Sequence, residues 1–371
     1  MRLCFVADPR SVHTVRWIRY FQRNHEVAIV SAYPPGDDFQ VDASYYLSLT
    51  ARLPGTRVLL NVLELREVLR KFRPDVLHAH YINEAGWLAA FSGFHPFVLT
   101  AWGSDVYIAP RISRLARVLN SWAVRRADCV TADSSDQVRA LQEMGAARNS
   151  TKVVGWGVNL DEFSGRGGRA WREKYGIGEE RIVILSPRQW VSNSNIPLIL
   201  RAFARVNARH PETFLILKAR ASTPDVVRAQ MEFHIRELGI SKATQIVNEM
   251  AEAELPQLYA AADITVSVGS SDGTPVSILE AMASGSAVVA GDLPSIREWV
   301  RHGETGLVVP VGDSEALASE LLRLVDGRNL RSELTVRAHR LVADHGSRTR
   351  NFERMERIYL RLLDRCAASQ V

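Results

Sequence analysis

Residues 270–291 read SSDGTPVSILEAMASGSAVVAG, and this stretch decides the fold. Thr274 followed by Pro275 predicts a helix start, because a hydroxyl caps a helix N-terminus and proline at the first helical position loses no hydrogen bond. The next residues give the helix an apolar side, and Gly285 is a natural stop at its end. Ala287–Ala290 then reads as a buried strand. A helix followed at once by a buried strand is typical of a parallel α/β sheet.

The same stretch combines features that suit a phosphate and a sugar. Gly273 stands beside the predicted helix N-terminus, where free backbone N–H groups and the helix dipole favour an anion. Asp272 comes before the helix and Glu280 lies inside it. A carboxylate within a buried helix needs a partner, and the hydroxyl pair of a sugar is a good one. The segment therefore predicts a binding site for a nucleotide sugar.

This segment resembles the acid-x7-acid signature of the retaining glycosyltransferases of family 4, which have the GT-B fold. The family pattern reads E-G-x-P-x-x-x-L-E-A-M-A-x-G-x-P-V-V-A, and this chain has Asp272 where the first glutamate normally stands. Three more stretches are similar to family segments: 158–163, LPQLYAAADITV at 255–266, and LPSIREWVRHGETGLVVPVGD at 293–313. The resemblance therefore covers nearly the whole chain.

The chain alternates predicted strands and helices from end to end, the pattern of parallel sheets with helices on both faces. A first series ends near the Gly-Trp-Gly at 155–157, and a second series follows. We therefore expect an α/β protein of two doubly wound, Rossmann-like domains facing each other across a cleft, the GT-B fold. Residues 1–157 would form the N-terminal, acceptor-side domain, and residues 158–344 the C-terminal, nucleotide-sugar-binding domain. By the resemblance, the C-terminal helix at 345–371 would pack back on the first domain.

The reaction implied by the resemblance makes demands on charge. Sugar transfer breaks the bond between the anomeric carbon and a diphosphate through a transition state with oxocarbenium character, so negative charge on the leaving phosphate has to be stabilised. Arg188, in ILSPRQW, resembles the phosphate-binding arginine of the family, and its fork of donors suits a diphosphate. By the resemblance, Arg188, Asp272 and Glu280 carry catalysis. Glu280 would accept from the ribose and Asp272 from the donor-sugar hydroxyls.

The resemblance also implies a donor-binding site around the predicted helix start. Family members usually have a lysine five residues after the arginine, whereas this chain has Asn193 there. The chain is thus identified as an asparagine-containing variant that lacks the usual phosphate-binding lysine, with Lys218, Arg220 and Arg10 as candidates for the missing charge. Backbone groups near Val247 would read the base. The predicted donor-binding residues are Gly273, Thr274, Pro275, Val276, Ser277, Val247 and Asn193.

In the first domain, VLTAWGSDVY resembles the family segment V-x-T-x-H-G-x-D. The histidine that usually approaches the donor sugar is replaced by Trp102, which offers a stacking face and one N–H donor. Asp105 is kept, and two roles stay open for it: a site residue or a helix cap. Trp102 would therefore change how the sugar is positioned rather than remove a base.

Histidines are further candidates on the acceptor side. His13, in the loop after the first strand, is either a site residue or packs at a helix N-terminus. His78 and His80 occupy the end of a strand, where the two-residue period is interpreted as turning them to opposite sides, with only one near the site. The predicted acceptor-side residues are His13, Trp102, Asp105 and His80. Further candidates for the lining of the acceptor pocket are Tyr81, Trp87, Asp37 and Asp38.

Composition limits the partners. With 46 lysines and arginines against 41 acids, the net charge is +5. Arginine clusters at 111–126 and 348–357 are explained either as solvated helix faces or by attraction to an anionic membrane or acidic substrate. No nucleic-acid reader motif accompanies the charge, so we expect no nucleic-acid partner. The chain starts with a strand and has no run of membrane length, which predicts a cytoplasmic protein. Peripheral contact of the basic helices with the inner face of the membrane stays open.

These observations predict a retaining, metal-independent hexosyltransferase that moves a sugar from a nucleotide-diphosphate sugar to a hydroxyl of a small-molecule, lipid or glycan acceptor. No metal site and no cofactor are expected, and a donor of the UDP type is favoured. Two alternatives stay open: a degenerate nucleotide-sugar-binding partner that regulates another transferase, and a nucleotide-sugar epimerase. The missing lysine and Trp102 motivate the first alternative, and Arg188 and Glu280 argue against it.

Overall fold

The chain folds into two compact units, each with a parallel sheet of its own. In a computed structural model of the protein, the residues described are 1–34, 41–46, 54–220, 223–248 and 250–368. The first unit consists of Met1–Trp156 and Arg350–Val371, and the second of Gly157–Thr349. The predicted fold class of two doubly wound α/β domains is confirmed.

The first unit is built on a seven-stranded sheet, counted over the described residues. Its strands are Arg2–Val6 (β1), Glu26–Ser31 (β2), Ala43–Tyr46 (β3), Val76–His80 (β4), Phe97–Thr100 (β5), Cys129–Ala132 (β6) and Thr151–Val153 (β7). They lie in the order β3-β2-β1-β4-β5-β6-β7, and neighbouring strands are parallel. Every residue of β4, β5 and β6 is buried, as in parallel sheets covered on both faces.

Helices connect the strands of the first unit. They are Val12–Phe21 (α1), Pro54–Phe72 (α2), Trp87–Ser92 (α3), Ser104–Tyr107 (α4), Ala109–Ile112 (α5), Arg114–Arg126 (α6) and Ser135–Glu143 (α7). Serine hydroxyls cap α6 and α7: Ser113 Oγ accepts from the N–H of Ala116, and Ser134 Oγ from that of Gln137. These caps satisfy N–H groups that have no partner within the helix, and so they fix where each helix begins.

The second unit has a six-stranded sheet among its described residues. Its strands are Ile182–Ser186 (β8), Thr213–Lys218 (β9), Thr244–Val247 (β10), Ile264–Ser267 (β11), Ala287–Gly291 (β12) and Leu307–Val309 (β13). They lie in the order β10-β9-β8-β11-β12-β13, again with neighbouring strands parallel. The buried strand predicted at the end of the deciding stretch is confirmed as β12.

Helices again alternate with these strands. They are Gly168–Lys174 (α8), Ile196–Arg209 (α9), Asp225–Glu237 (α10), Leu255–Ala260 (α11), Val276–Ala283 (α12), Pro294–Arg297 (α13), Ser314–Asp326 (α14) and Arg328–His345 (α15). A last helix, Arg348–Ala368 (α16), belongs to the first unit from Arg350 onward. Across the described part of the chain, no helix has both the length and the apolar character needed to cross a membrane.

The sequence pattern misplaces one helix start and misses some elements. α12 begins at Val276, one residue after the predicted first helical residue Pro275, because Pro275 has extended backbone (ψ 113°) and is itself the N-cap. Gly285 ends this region as predicted, with a left-handed φ of 81°. The pattern does not predict β3 or α15. α15 buries only a narrow stripe of three residues, one of them an alanine, so its periodicity is weak in the sequence.

Each sheet has one point where the strand order reverses. In the first unit β1 lies between β2 and β4, and in the second β8 lies between β9 and β11. The loops that leave the two strands at such a point turn to opposite faces and leave a crevice at the carboxyl ends of the strands. The loops after β1, β4, β8 and β11 therefore form the expected ligand-binding edges of the two units.

Candidate active site

Two predicted catalytic residues meet at the reversal point of the second sheet. Arg188 follows β8, and Asp272 follows the neighbouring strand β11. Nη1 of Arg188 lies 2.5 Å from Oδ2 of Asp272, and the two side chains are only 18% and 21% exposed. Little-exposed charges are costly unless they are paired, so the two side chains hold each other at the edge of the sheet where ligands bind.

Main-chain contacts hold the loops around this ion pair. The Asn193 carbonyl accepts from the N–H of Ser270 at 2.9 Å, and Asn195 Nδ2 donates to the Val268 carbonyl at 2.8 Å. A Cβ at Gly269 would come within 3.2 Å of the Asn193 carbonyl and 3.6 Å of the guanidinium of the pair. The loop after β8 therefore packs tightly on the loop after β11. Asn193, predicted to bind the donor, contributes its carbonyl to that packing.

The turn before α12 leads into a largely buried helix start. Gly273, Thr274, Pro275 and Val276 are buried, and Ser277 is half-buried. Oγ of Ser277 is shielded from solvent and has no hydrogen-bond partner among the described residues. The first N–H groups of a helix have no acceptor within it, and the helix dipole adds a partial positive charge. The turn thus offers backbone donors and one hydroxyl to an anion.

Glu280 lies further along α12 and is 5% exposed. It interacts electrostatically with Lys218, the last residue of β9. Burial lowers the pKa of Lys218, the charge of Arg220 lowers it further, and the carboxylate of Glu280 raises it. Two of the three cations proposed from the sequence for the missing charge, Lys218 and Arg220, therefore belong to one charged group with Glu280.

A cavity of about 760 Å³ opens next to this charged group, at the ends of β9 and β10. The predicted base-reading residue Val247 is buried, and its carbonyl accepts from the N–H of Ala219 at 2.8 Å. Asn248 lines the cavity instead, and its Oδ1 accepts from Arg228. The polar side chain that lines the cavity is thus that of Asn248, one residue after the predicted Val247. The cavity is lined by Lys174, Tyr175, Lys218, Ala219, Arg220, Asn248, Met250, Ala251 and Glu254.

The first unit has a cavity of about 340 Å³ at its own reversal point, between the loops after β1 and β4. The backbone of the second loop is strained, because Tyr81 (φ 81°) and Glu84 (φ 42°) have the left-handed conformation that side chains disfavour. Strain of this kind is concentrated at functional sites. The lining includes Asp8, Arg10, Ser11, Tyr33, His80, Tyr81, Asn83, Glu84, Leu88 and Trp102.

Several polar atoms around this cavity lack partners in the described part of the chain. They are Oδ1 of Asn83, Nε1 of Trp102 and both ring nitrogens of His80, all shielded from solvent. A buried polar group without a hydrogen bond is costly, and such a group in a native protein calls for a ligand or water. These residues therefore give the cavity the capacity to bind a molecule rich in hydrogen-bonding groups.

The interpretation that His78 and His80 turn to opposite sides is wrong. A strand's period of two places residues i and i+2 on the same side, and the two rings lie 4.5 Å apart. His78 is tied by Nδ1 to Tyr359 and by Nε2 to Thr100, each at 2.6 Å. Of the two, only His80 lines the cavity.

His80 makes stability depend on pH. Burial, with a smaller effect of His13, lowers the pKa of His80 from 6.5 to about 3. Between these values the unfolded chain binds a proton that the folded chain does not, so stability falls as pH falls, by about 1.4 kcal/mol per pH unit. We expect His80→Leu to remove that part of the slope below pH 6.5. Urea unfolding of both proteins between pH 7.5 and pH 5 measures it, and equal slopes would contradict the assignment.

Asp105 is a fully buried clamp between two loops. Its carboxylate accepts from the N–H groups of Ile82 (2.8 Å), Trp102 (3.0 Å) and Gly103 (2.9 Å). Burial raises the pKa of Asp105, and these hydrogen bonds lower it. The residue thus joins the loop after β5 to the one after β4. Asp105 lies within α4 and holds the backbone of Trp102, whose side chain is part of the cavity lining.

Of the other candidates in the first unit, Arg10 and Tyr81 line the same cavity, whereas His13 and Trp87 are not part of its lining. The ring of His13 lies 5.0 Å from that of Trp156 and 6.1 Å from that of Trp102. Arg10 is paired with Asp8 through Nε (3.0 Å) and Nη2 (2.8 Å), and its guanidinium stacks 3.5 Å from the ring of Tyr33. Trp87 donates to Asn120 in the core. Asp37 and Asp38 lie outside the described residues.

Two of the site features were not predicted from the sequence. Asn83 and Glu84 follow β4, and a reversal point located in advance would have drawn attention to that loop. Ser277 was predicted to bind the donor through its backbone N–H, and a role for its hydroxyl was not predicted. Among the residues that the structure describes, no group of three or more His, Cys, Asp or Glu side chains is placed to hold a metal ion.

Two family models match the chain in succession. Residues 2–134 match the model described as glycosyl transferase 4-like, and residues 168–340 match glycosyl transferases group 1. The first match lies within the first unit, and the second within the second unit. Together they cover most of the sequence, including both cavities and the Arg188–Asp272 pair.

Similar proteins agree with these matches. The chain is 29% identical to the D-inositol 3-phosphate glycosyltransferase of Geodermatophilus obscurus, over 70% of this chain and 61% of that protein. It is 28% identical to the enzyme of the same name from Thermobispora bispora, over 85% and 77% of the two chains. The crystal structure of Anabaena Alr3699/HepE in complex with UDP superimposes with a TM-score of 0.81 at 18% identity, covering 98% of this chain and 100% of that one. The predicted GT-B fold is thus confirmed, and the chain belongs to the family 4 glycosyltransferases.

Proposed function

We propose that the protein transfers a sugar from a nucleotide-diphosphate sugar to an acceptor hydroxyl, with the donor in the second unit and the acceptor in the first. The observation that carries the proposal is the Arg188–Asp272 pair at the reversal point of the second sheet. Beside it, the start of α12 offers backbone N–H groups and the hydroxyl of Ser277 to a diphosphate. In this proposal Glu280 accepts from the ribose and Asp272 from the donor sugar.

The uridine nucleotide is the donor base that we propose. The Anabaena protein with the same fold was crystallised with UDP, and the cavity beside Lys218 has room for a base and ribose. Asn248 lines that cavity with a side-chain amide, and an amide can both donate to and accept from a pyrimidine edge. Lys218 and Arg220 supply positive charge there in place of the lysine that this chain lacks.

We propose that the reaction retains the anomeric configuration. The bond between the anomeric carbon and the phosphate oxygen breaks, and its electron pair stays on the leaving phosphate. The acceptor oxygen bonds to the same face of the anomeric carbon, and its proton passes to the leaving phosphate. Arg188 donates to the phosphate oxygens as their charge develops, which is the step where a fixed cation lowers the barrier most. Arg188 and Lys218 carry the neutralising charge, so the proposal includes no metal ion.

The acceptor that fits the first unit is a compact polyhydroxy molecule without a phosphate. Asn83, Trp102 and His80 present hydrogen-bonding atoms without partners, which suits hydroxyl groups. Arg10 is the one arginine or lysine among the described residues that line the cavity, and Asp8 already neutralises its charge through two contacts. A phosphate on the acceptor would meet no uncompensated charge there. Free inositol and monosaccharides are therefore the first acceptors to offer.

The proposal is tested first by thermal unfolding with UDP, GDP, ADP and dTDP. We expect UDP alone to raise the unfolding midpoint by about 5–10 °C at a hundredfold excess over its dissociation constant. Glu280→Ala should lose this shift, because its ribose contact is gone. A shift by no nucleotide would overturn the donor site and favour the degenerate binding partner. An equal shift in Glu280→Ala would remove that residue from the site.

The nucleotide sugar chosen by this assay is then incubated with and without acceptors, and the products are followed by proton NMR. Retention predicts that the anomeric proton of the product has the same configuration as the donor. Inversion would contradict the mechanism. Formation of a new free sugar isomer without acceptor would indicate the epimerase instead.

A further inference from the structure

The helices α5 and α6 carry a run of sequence with an unusual charge pattern. Between Asp105 and Asp128 the chain contains five arginines and no acidic residue. Arg111 and Arg114 are exposed and have no acidic partner among the described residues. Arg117 is exposed as well, and its Nε donates to a main-chain carbonyl at 3.1 Å rather than to an acid. This part of the first unit is therefore a surface of uncompensated positive charge.

The same two helices present large apolar side chains to the outside. Ile112, Leu115 and Val118 are 79%, 67% and 63% exposed. The face of α6 that packs inward consists instead of Ala116, Asn120, Ala123 and Val124. A helix that buries small residues and exposes larger apolar ones reverses the usual arrangement, in which the large side chains contribute most to burial. A binding partner outside the unit would thus explain why these apolar side chains are exposed.

This apolar surface continues onto neighbouring helices. Phe91 of α3 is 37% exposed and stacks on Trp122 of α6 with ring centroids 4.3 Å apart. Arg66 of α2 donates to the main-chain carbonyls of Phe91 and Ser92, each at 3.0 Å. One turn before it, α2 exposes Leu63 to 50%. Apolar side chains bordered by arginines therefore extend over three helices of the first unit.

We propose that this face, defined by Arg111, Ile112, Arg114, Leu115 and Val118, docks on the surface of an anionic lipid bilayer. The arginines of this acid-free run complement the charge of anionic headgroups, and the apolar side chains next to them reach the boundary of the acyl chains. Both elements are needed, because charge alone would bind polyanions in general and an apolar face alone would bind any apolar partner.

The second arginine cluster serves as the comparison. On α16, Arg354 and Arg357 are exposed and line a groove with Lys152. Acidic residues interrupt this helix at positions 353, 356 and 364. It therefore has a similar number of arginines but, unlike the run between Asp105 and Asp128, also carries acidic residues, and we assign it no lipid contact.

Sedimentation with vesicles tests the proposal on the full chain. We expect the protein to bind vesicles of phosphatidylcholine mixed with phosphatidylglycerol, to bind phosphatidylcholine alone at least tenfold more weakly, and to be released by salt. Arg111→Gln with Arg114→Gln should weaken binding by about fivefold per arginine. Leu115→Gln with Val118→Gln should weaken it by about tenfold or more, because the apolar contact is lost.

Arg354→Gln with Arg357→Gln is the matched control, and we expect it to bind vesicles within about twofold of the original chain. These side chains are exposed, so unchanged unfolding midpoints confirm that every variant folds. Absence of binding to anionic vesicles would overturn the proposal. So would full binding by Leu115→Gln with Val118→Gln, or an equal loss in the control. Concentration-dependent dimerisation that Leu115→Gln with Val118→Gln abolishes would assign the face to a second copy of the chain instead.

Discussion

Arg188→Ala is expected to lower kcat/KM for the nucleotide sugar by about a thousandfold. Removing one donor that stabilises transition-state charge costs about 10²–10³ in rate. Here the substitution also leaves the carboxylate of Asp272 without its partner at 2.5 Å, in the place proposed for a diphosphate. An unpaired carboxylate repels the phosphates, so the loss should exceed that of the guanidinium alone. Steady-state kinetics with the donor chosen by the nucleotide assay measure the effect.

The repulsion between the unpaired carboxylate of Asp272 and the phosphates can be measured separately with a double variant. Arg188→Ala combined with Asp272→Asn should recover about tenfold over Arg188→Ala alone, because the uncompensated charge is removed with its partner. Arg297→Ala is the matched control: it also breaks an arginine–aspartate contact of 2.5 Å in the second unit, but the arginine is 65% exposed. We expect it to change kcat/KM by less than about twofold. Similar losses in Arg188→Ala and Arg297→Ala would contradict the proposed role of Arg188.

Glu280→Gln is expected to weaken donor binding by about 10–100-fold, the value of a hydrogen bond to a charged group. It has a second consequence, because the carboxylate of Glu280 raises the pKa of Lys218 while burial and Arg220 lower it. Without that carboxylate the pKa of Lys218 falls further, and the ammonium loses its proton at a lower pH. Donor binding of the variant should therefore decline at a lower pH than in the original chain. The dissociation constant of UDP from pH 6 to pH 10 measures both effects.

Two controls separate these effects from loss of structure. Glu320→Gln changes another glutamate that contacts an arginine, at 3.4 Å on α14, and should leave UDP binding unchanged. Lys218→Met should remove the alkaline decline in both backgrounds. If Glu280→Gln binds UDP normally, or if its pH profile matches that of the original chain, the proposed coupling between Glu280 and Lys218 is wrong.

The sequence predicts the parts of the site that follow from strand order and charge. Arg188 and Asp272 come after strands, and the carboxyl ends of parallel strands meet at one edge, so their proximity could be expected. Glu280 could be expected to be buried, because the residues around it in α12 are apolar. The family resemblance added the roles of these residues, which spacing alone does not give.

Other features depend on backbone geometry that no local pattern records. Tyr81 and Glu84 have left-handed conformations in the loop after β4, and this loop is held by Asp105, more than twenty residues further along the chain. The start of α12 was misplaced because a threonine–proline pair is compatible both with a capped helix and with the extended segment found here. The relative orientation of His78 and His80 was predicted wrongly, because residues two apart in a strand lie on the same side.

The clamp at Asp105 has a consequence for how acceptor preference changes over evolution. Because the carboxylate fixes three backbone N–H groups from two loops, side chains elsewhere on those loops are free to vary without loss of the loop shape. Exchange of Asn83 or Glu84 between relatives would then redirect the enzyme to other acceptors in single steps. Donor chemistry, encoded in a separate unit, would be inherited unchanged. A library restricted to these two positions is accordingly the smallest one in which new acceptors should be sought.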